Sequence, residues 1–206
     1  MHKKILVVFA TAVAIAAVAP SMASATGTVT PTLPGSDVQA YYADGSGTPI
    51  NGTVSVAGAL SLNGAATVSC SSNDFDVDYT DDGMATVTSF VVNGCSISGF
   101  PSCPVATSAT GLPWGANFGH NTSTGVDRLY VNVSRDVTLG AGTPTCPNPA
   151  GVYPATGTLS PAITISGSTL IAAFGTGSGS ISGPLGTTTI GGSLSGGVAS
   201  GDQIVF

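Results

Sequence analysis

Apolar and polar side chains alternate with a period of two along much of this chain, the pattern of strands with one buried face. The clearest case lies between Cys70 and Cys95. Phe75, Val77 and Tyr79 fall on one side and Asp74, Asp76 and Asp78 on the other. Asp81-Asp82-Gly83 supplies a turn, and Thr86 and Thr88 alternate with Val87 and Ser89 before Phe90-Val91-Val92. Upstream, Val54, Val56, Leu60 and Leu62 alternate with small residues as far as Asn63-Gly64. That pair tolerates positive φ, so a hairpin returning over Ala65 to Cys70 is expected. Downstream, Trp114 to Phe118, Leu129 to Val133 and Val137 to Leu139 read as separate strands. Gly119 to Gly125 reads as a loop, and so does the Pro-rich stretch from Thr143 to Pro154.

The last third has another texture. Ile163, Ile165, Leu170 to Phe174, Ile181, Thr187 to Ile190, Leu194 and Val198 stand between glycines and serines. Such spacing fits either brief strands or a flexible low-complexity tail. Apolar residues recurring where a linker has none favour strands. The expectation is an all-β protein, an antiparallel β-sandwich or small barrel, with Phe75, Val77, Tyr79 and Trp114 in its core.

The N-terminus adds a destination. Met1-His2-Lys3-Lys4, an apolar run to Ala19 and Ala23-Ser24-Ala25 have the form of a signal peptide cleaved after Ala25. Thr11 and Pro20 interrupt the run, which is short for a membrane span. This divides the chain into a 1–25 leader, a 26–52 strand or linker segment and a single β-rich domain over 53–206. Without the leader the fixed cations are Arg128 and Arg135, against ten aspartates and no glutamate. Phosphate backbones and anionic headgroups repel such a chain, so neither nucleic acid nor an anionic membrane surface is an expected partner.

All four cysteines, Cys70, Cys95, Cys103 and Cys146, lie in the exported part and read as two disulfides. Folding the hairpin about Asp82 sets Cys70 almost opposite Cys95, which leaves Cys103 for Cys146; four cysteines allow three pairings, so this is the preferred one. A zinc site lacks ligands, with no Cys-x-x-Cys and His120 the sole histidine after cleavage.

Asp74, Asp76 and Asp78 are the candidate calcium ligands, since calcium takes six to eight oxygens. Tyr79 and Ala85 stand where an EF-hand loop needs Gly and Glu. The competing reading is a solvated strand face whose like charges discourage edge pairing. His120 is the one available histidine base, in a Gly-Asn-Thr-Ser context without a Gly-x-Ser-x-Gly elbow. Nothing singles out two aspartates as a glycosidase pair. No catalytic residue and no cofactor is assigned. Phe206 ends Gln203-Ile204-Val205-Phe206, as terminal aromatics do in outer-membrane barrels, but short strands and few aromatics speak against one.

Cys-x4-Phe-x-Val from Cys70, the turn, the strand ending in Gly94-Cys95, then Cys103 and Leu112-Pro113-Trp114 together resemble the small secreted bacterial proteins called protein activators of alkane oxidation. The likeness covers Cys70 to Trp114 and stops before Cys146. It implies an exported, non-catalytic β-rich protein that assists growth on hydrophobic substrates, and supplies no catalytic residues. The function expected is therefore a secreted, non-enzymatic cell-surface or extracellular protein that self-associates or meets apolar interfaces. The rivals are a matrix or fibre subunit that donates the 26–52 segment or Gln203–Phe206 to a neighbour, and a secreted hydrolase.

Overall fold

The computed structural model describes residues 29–64, 67–99, 103–140 and 150–206. The proposed leader and Cys146 lie outside the described residues, and so does most of the 143–154 loop. No helix among the described residues is long and apolar enough to cross a membrane. Two three-residue strands open the fold, β1 (Asp37–Gln39) and β2 (Tyr41–Ala43). The long strands β3 (Gly52–Asn63), β4 (Thr67–Tyr79) and β5 (Met84–Ile97) follow. Then come β6 (Val105–Ala109), β7 (Trp114–Asn121) and β8 (Val126–Leu139). The Gly/Ser-rich third supplies β9 (Gly151–Leu159), β10 (Ala162–Ser166), β11 (Thr169–Phe174), β12 (Gly179–Gly183), β13 (Gly186–Gly197) and β14 (Gln203–Val205).

The antiparallel sheet closes on itself. Strands β3, β4, β5, β7, β8, β10, β11 and β13 pair in that circular order, β13 returning to β3. At the other end of β8 and β13, strands β9 and β12 take the places of β10 and β11. Likewise β7 pairs with Val126–Val131 of β8, and β6 with Arg135–Leu139. Of the two architectures expected, the pairing is that of a barrel. Closure removes most of the free edges an open sheet would present, but no ladder joins β6 to the stretch of β5 beyond Val87.

Inward faces make the core. Leu60, Phe75, Val77, Tyr79, Val87, Phe90, Trp114, Val133, Leu159, Ile181 and Leu194 belong to one buried cluster drawn from nearly every barrel strand. A smaller cluster of Ile97, Cys103, Val137 and Leu139 fills the far end. Phe90 lies 4.4 Å from Phe75 and 5.4 Å from Trp114, centroid to centroid. Outward positions carry Ser, Thr, Asp and Gly, the reverse of a lipid-facing barrel.

Two expected boundaries differ from the structure. Ala65–Cys70 and Phe75–Tyr79 are not arms of separate hairpins: β4 is continuous over Thr67–Tyr79 and pairs with both β3 and β5. Leu129–Val133 and Val137–Leu139 are likewise one strand, β8. Several glycines of the last third mark close strand packing. A Cβ on Gly157 would collide with the Ser180 carbonyl, and one on Gly196 with that of Ser55.

The segment from Val29 to Ala40 runs along β7 and β8: it starts on their outer face, its strand β1 pairs with Gly119–Asn121 of β7, and Ala40 ends in the core. Asn132 Nδ2 donates to the Val29 carbonyl (2.9 Å), and Gln39 Nε2 donates to Asn117 Oδ1 (2.7 Å). Asn121 Nδ2 donates to Asp37 Oδ1 at 2.7 Å, and the Tyr130 hydroxyl donates to the other Asp37 oxygen. Gly115 lies against the Val29 backbone, where any Cβ would collide.

Candidate functional site

The hairpin of β4 and β5 gathers most of the candidate residues. Cys70 and Cys95 are bonded, their Cα atoms 4.0 Å apart and directly paired in register. A register shift between Asp76 and Val77 brings this about. Val77 faces Val87 but Asp76 faces Ser89, so Thr88 is the extra residue of a bulge. Without it, Cys70 would sit opposite Gly94. Gly83, at φ +82°, makes the tight turn that a Cβ-bearing residue adopts only with strain. A disulfide of this kind suits an oxidising compartment. Cys103 is buried; its expected partner Cys146 lies outside the described residues.

Asp74, Asp76 and Asp78, the candidate calcium ligands, lie side by side on strand β4. All three point away from the core, and Asp76 and Asp78 accept hydrogen bonds from Ser55 and Thr53 on β3. Among the described residues no group of three acidic, His or Cys side chains can hold a metal. The turn acids are tied down locally. Thr80, first, and the Met84 amide hold the Asp82 carboxyl below its ordinary pKa. Ser46 and the Thr48 and Ser46 amides do the same for Asp44.

His120 is not in a loop. Strand β7 continues to Asn121, with His120 on the same inward parity as Trp114, Ala116 and Phe118, so it reaches the end of the barrel. It is 9% exposed, its Nδ1 lies 2.7 Å from Asp127 Oδ1, and the Phe206 ring stacks on it at 3.6 Å and 10°. Among the described residues no serine or threonine hydroxyl is hydrogen-bonded to it. The dyad holds β7, β8 and the end of the chain together, and lacks a nucleophile for acyl transfer. Nearby, Tyr42 stacks on Tyr79 (4.2 Å) and donates to Asp202 Oδ2 at 2.7 Å. Burial first, then that carboxylate, raises the Tyr42 pKa well above the phenol range. Burial and the Asp37 carboxylate do the same for Tyr130.

The side chain that sequence reasoning missed is Arg135. Strand β8 alternates Leu129, Val131, Val133, Arg135, Val137 and Leu139 toward the interior, so one of the chain's two arginines points into the barrel. It is 5% exposed and lies between the two apolar clusters. Its Nε has no hydrogen-bond partner, and among the described residues the only ion pair is His120–Asp127. Unrelieved burial lowers its pKa to about 10, which leaves it a cation at neutral pH. It lines a cavity of about 20 Å³ with Leu60, Leu62, Asn73, Phe90 and Trp114. A second cavity of about 30 Å³, between Val56, Val87, Leu129 and Phe174, shares Phe75, Val133 and Leu159 with the first.

Outside, an open cleft of about 290 Å³ runs between Thr30, Asp78, Thr80, Met84, Ala85 and Thr86. Several large apolar side chains are exposed, among them Val29 (66%), Val91 (46%), Val152 (60%) and Phe206 (69%). No protein family, no curated protein and no solved structure matches this chain.

Proposed function

We propose that this protein is a secreted, non-catalytic β-barrel that works through its outer surface, at contacts with apolar matter. The observation that carries this reading is how full the interior is. Two internal cavities lined by described residues, about 20 and 30 Å³, each have room for about one water. An alkane chain would have to displace core side chains to enter, at a cost of a few kcal/mol. The outer strand faces offer hydroxyls and small side chains, with Met84, Val91, Leu112, Val152 and Phe206 standing clear of them. Such a face is weakly hydrated and has little charge to hold it in water. The resemblance to the alkane-oxidation activators supports the same direction.

The test is partitioning of the purified protein to a hexadecane–water interface. Wild type is expected to adsorb, and Val91→Asp with Val152→Asp to adsorb several-fold less without loss of fold. Equal adsorption by both proteins, or none by either, removes the proposal.

Strand exchange is a second reading, favoured by the separate two-stranded sheet of β2 and β14, only three residues each. Donation to a neighbour would release a short pairing now made within the chain. A concentration-dependent dimer abolished by deleting Gln203–Phe206 supports it; a monomer at all concentrations opposes it.

A further inference from the structure

Arg135 presents a problem that the rest of the fold does not solve. A guanidinium removed from water costs several kcal/mol unless a counter-charge and hydrogen-bond acceptors replace its hydration. Here Nε has no acceptor, and among the described residues no carboxylate pairs with it. Nor is Arg135 alone. The other buried side-chain atom without a hydrogen-bond partner is Thr107 Oγ1. Thr107 pairs with Val137, and Arg135 with Ala109, in the ladder between β6 and β8. Directly paired residues share a face, so Thr107 and Arg135 are diagonal neighbours on the inner wall. Two orphaned polar groups, both able to donate, thus meet in the layer that separates the two apolar clusters. The cavity walled by Arg135 lies on the larger cluster's side of this layer, and its volume of about 20 Å³ suits a single atom or a water. Water would satisfy hydrogen bonds but leave the charge uncompensated. A multi-atom oxyanion or a fatty acid exceeds the space.

We infer that the barrel interior binds one small inorganic monovalent anion of the halide class at Arg135, with Thr107, its diagonal neighbour, as a second donor. The anion is a permanent part of the folded core, independent of what the outer surface contacts. Leu60, Phe90 and Trp114 wall the same cavity.

Bromide is the probe. In crystals of the disulfide-intact protein grown with sodium bromide, an anomalous peak is expected within hydrogen-bonding reach of the Arg135 guanidinium. In solution, replacing gluconate by chloride at constant ionic strength should raise the melting temperature by about 3–5 °C per tenfold increase in chloride above the dissociation constant. Arg135→Met should remove that dependence, and Thr107→Val should weaken the affinity several-fold. If Arg135→Met fails to fold, the bromide peak and the Thr107→Val titration still decide. Water alone at Arg135 in the bromide crystals, or a chloride response unchanged in Arg135→Met, overturns the inference.

Discussion

The β4–β5 hairpin and strand β8 are built to the same plan and end in different chemistry. Both alternate over thirteen or fourteen residues per strand and turn one face to the same interior. In β4 every inward position from Phe75 to Tyr79 is apolar, and each outward aspartate is solvent-accessible. In β8 the inward row breaks twice, at Asp127 near one end and at Arg135 in the middle. Asp127 is answered by His120 across the ladder. Arg135 is answered by nothing among the described residues. A closed barrel tolerates polar side chains at its rim, where a partner can reach them. In its middle, a charge needs a partner brought from elsewhere.

Replacing residues along both strands sharpens that contrast. Phe75→Ala should cost the most, about 3–5 kcal/mol in denaturant unfolding, because the ring packs on Phe90 and adjoins both cavities. Cys70→Ser with Cys95→Ser should cost about 3 kcal/mol, the loop-closure value for a separation of 25 residues. On β8 the sign reverses. In halide-free buffer Arg135→Met should raise stability by about 1–4 kcal/mol, since an apolar side chain of similar length replaces an unpaired buried charge. A loss of stability under those conditions would mean the guanidinium has a partner within the fold.

Tyr42→Phe, at the Tyr79 end of the hairpin, should cost about 1 kcal/mol through the lost bond to Asp202. It also carries a pH signature. The folded protein holds this phenol neutral above its ordinary pKa, whereas the unfolded chain ionises near pH 10. Its contribution is therefore complete below about pH 10 and is lost as pH rises beyond that. Alkaline unfolding of Tyr42→Phe should be measurably less steep than that of wild type. The smallest effects belong to Asp74→Asn and Asp78→Asn, within about 0.5 kcal/mol, with no calcium-dependent shift in melting temperature.

The hairpin was legible because period and chemistry agree there. The aspartates mark the outer face, Asp81-Asp82-Gly83 marks the turn, and the cysteines fix the open end. In the sequence, strand β8 reads as two pieces because Ser134-Arg135-Asp136 looks like a polar break between apolar runs. The alternation in fact passes through it, with Arg135 keeping the parity of Val133 and Val137. Counting parity across that break was the available signal. His120 was misplaced for a related reason: glycine and asparagine on either side suggest a loop, but the strap from Val29 to Ala40 covers β7 and keeps it extended. That contact joins residues some eighty positions apart, beyond any local pattern. In the last third, glycine served close strand packing, which composition does not distinguish from a linker.

The most direct test of the account is adsorption to a hexadecane–water interface followed by hydrogen exchange on the adsorbed protein. A barrel that works by its outer face should adsorb with the amides of β4, β5 and β8 as protected as in solution. Adsorption accompanied by loss of that protection would contradict the account, because the interior would then be supplying the apolar contact.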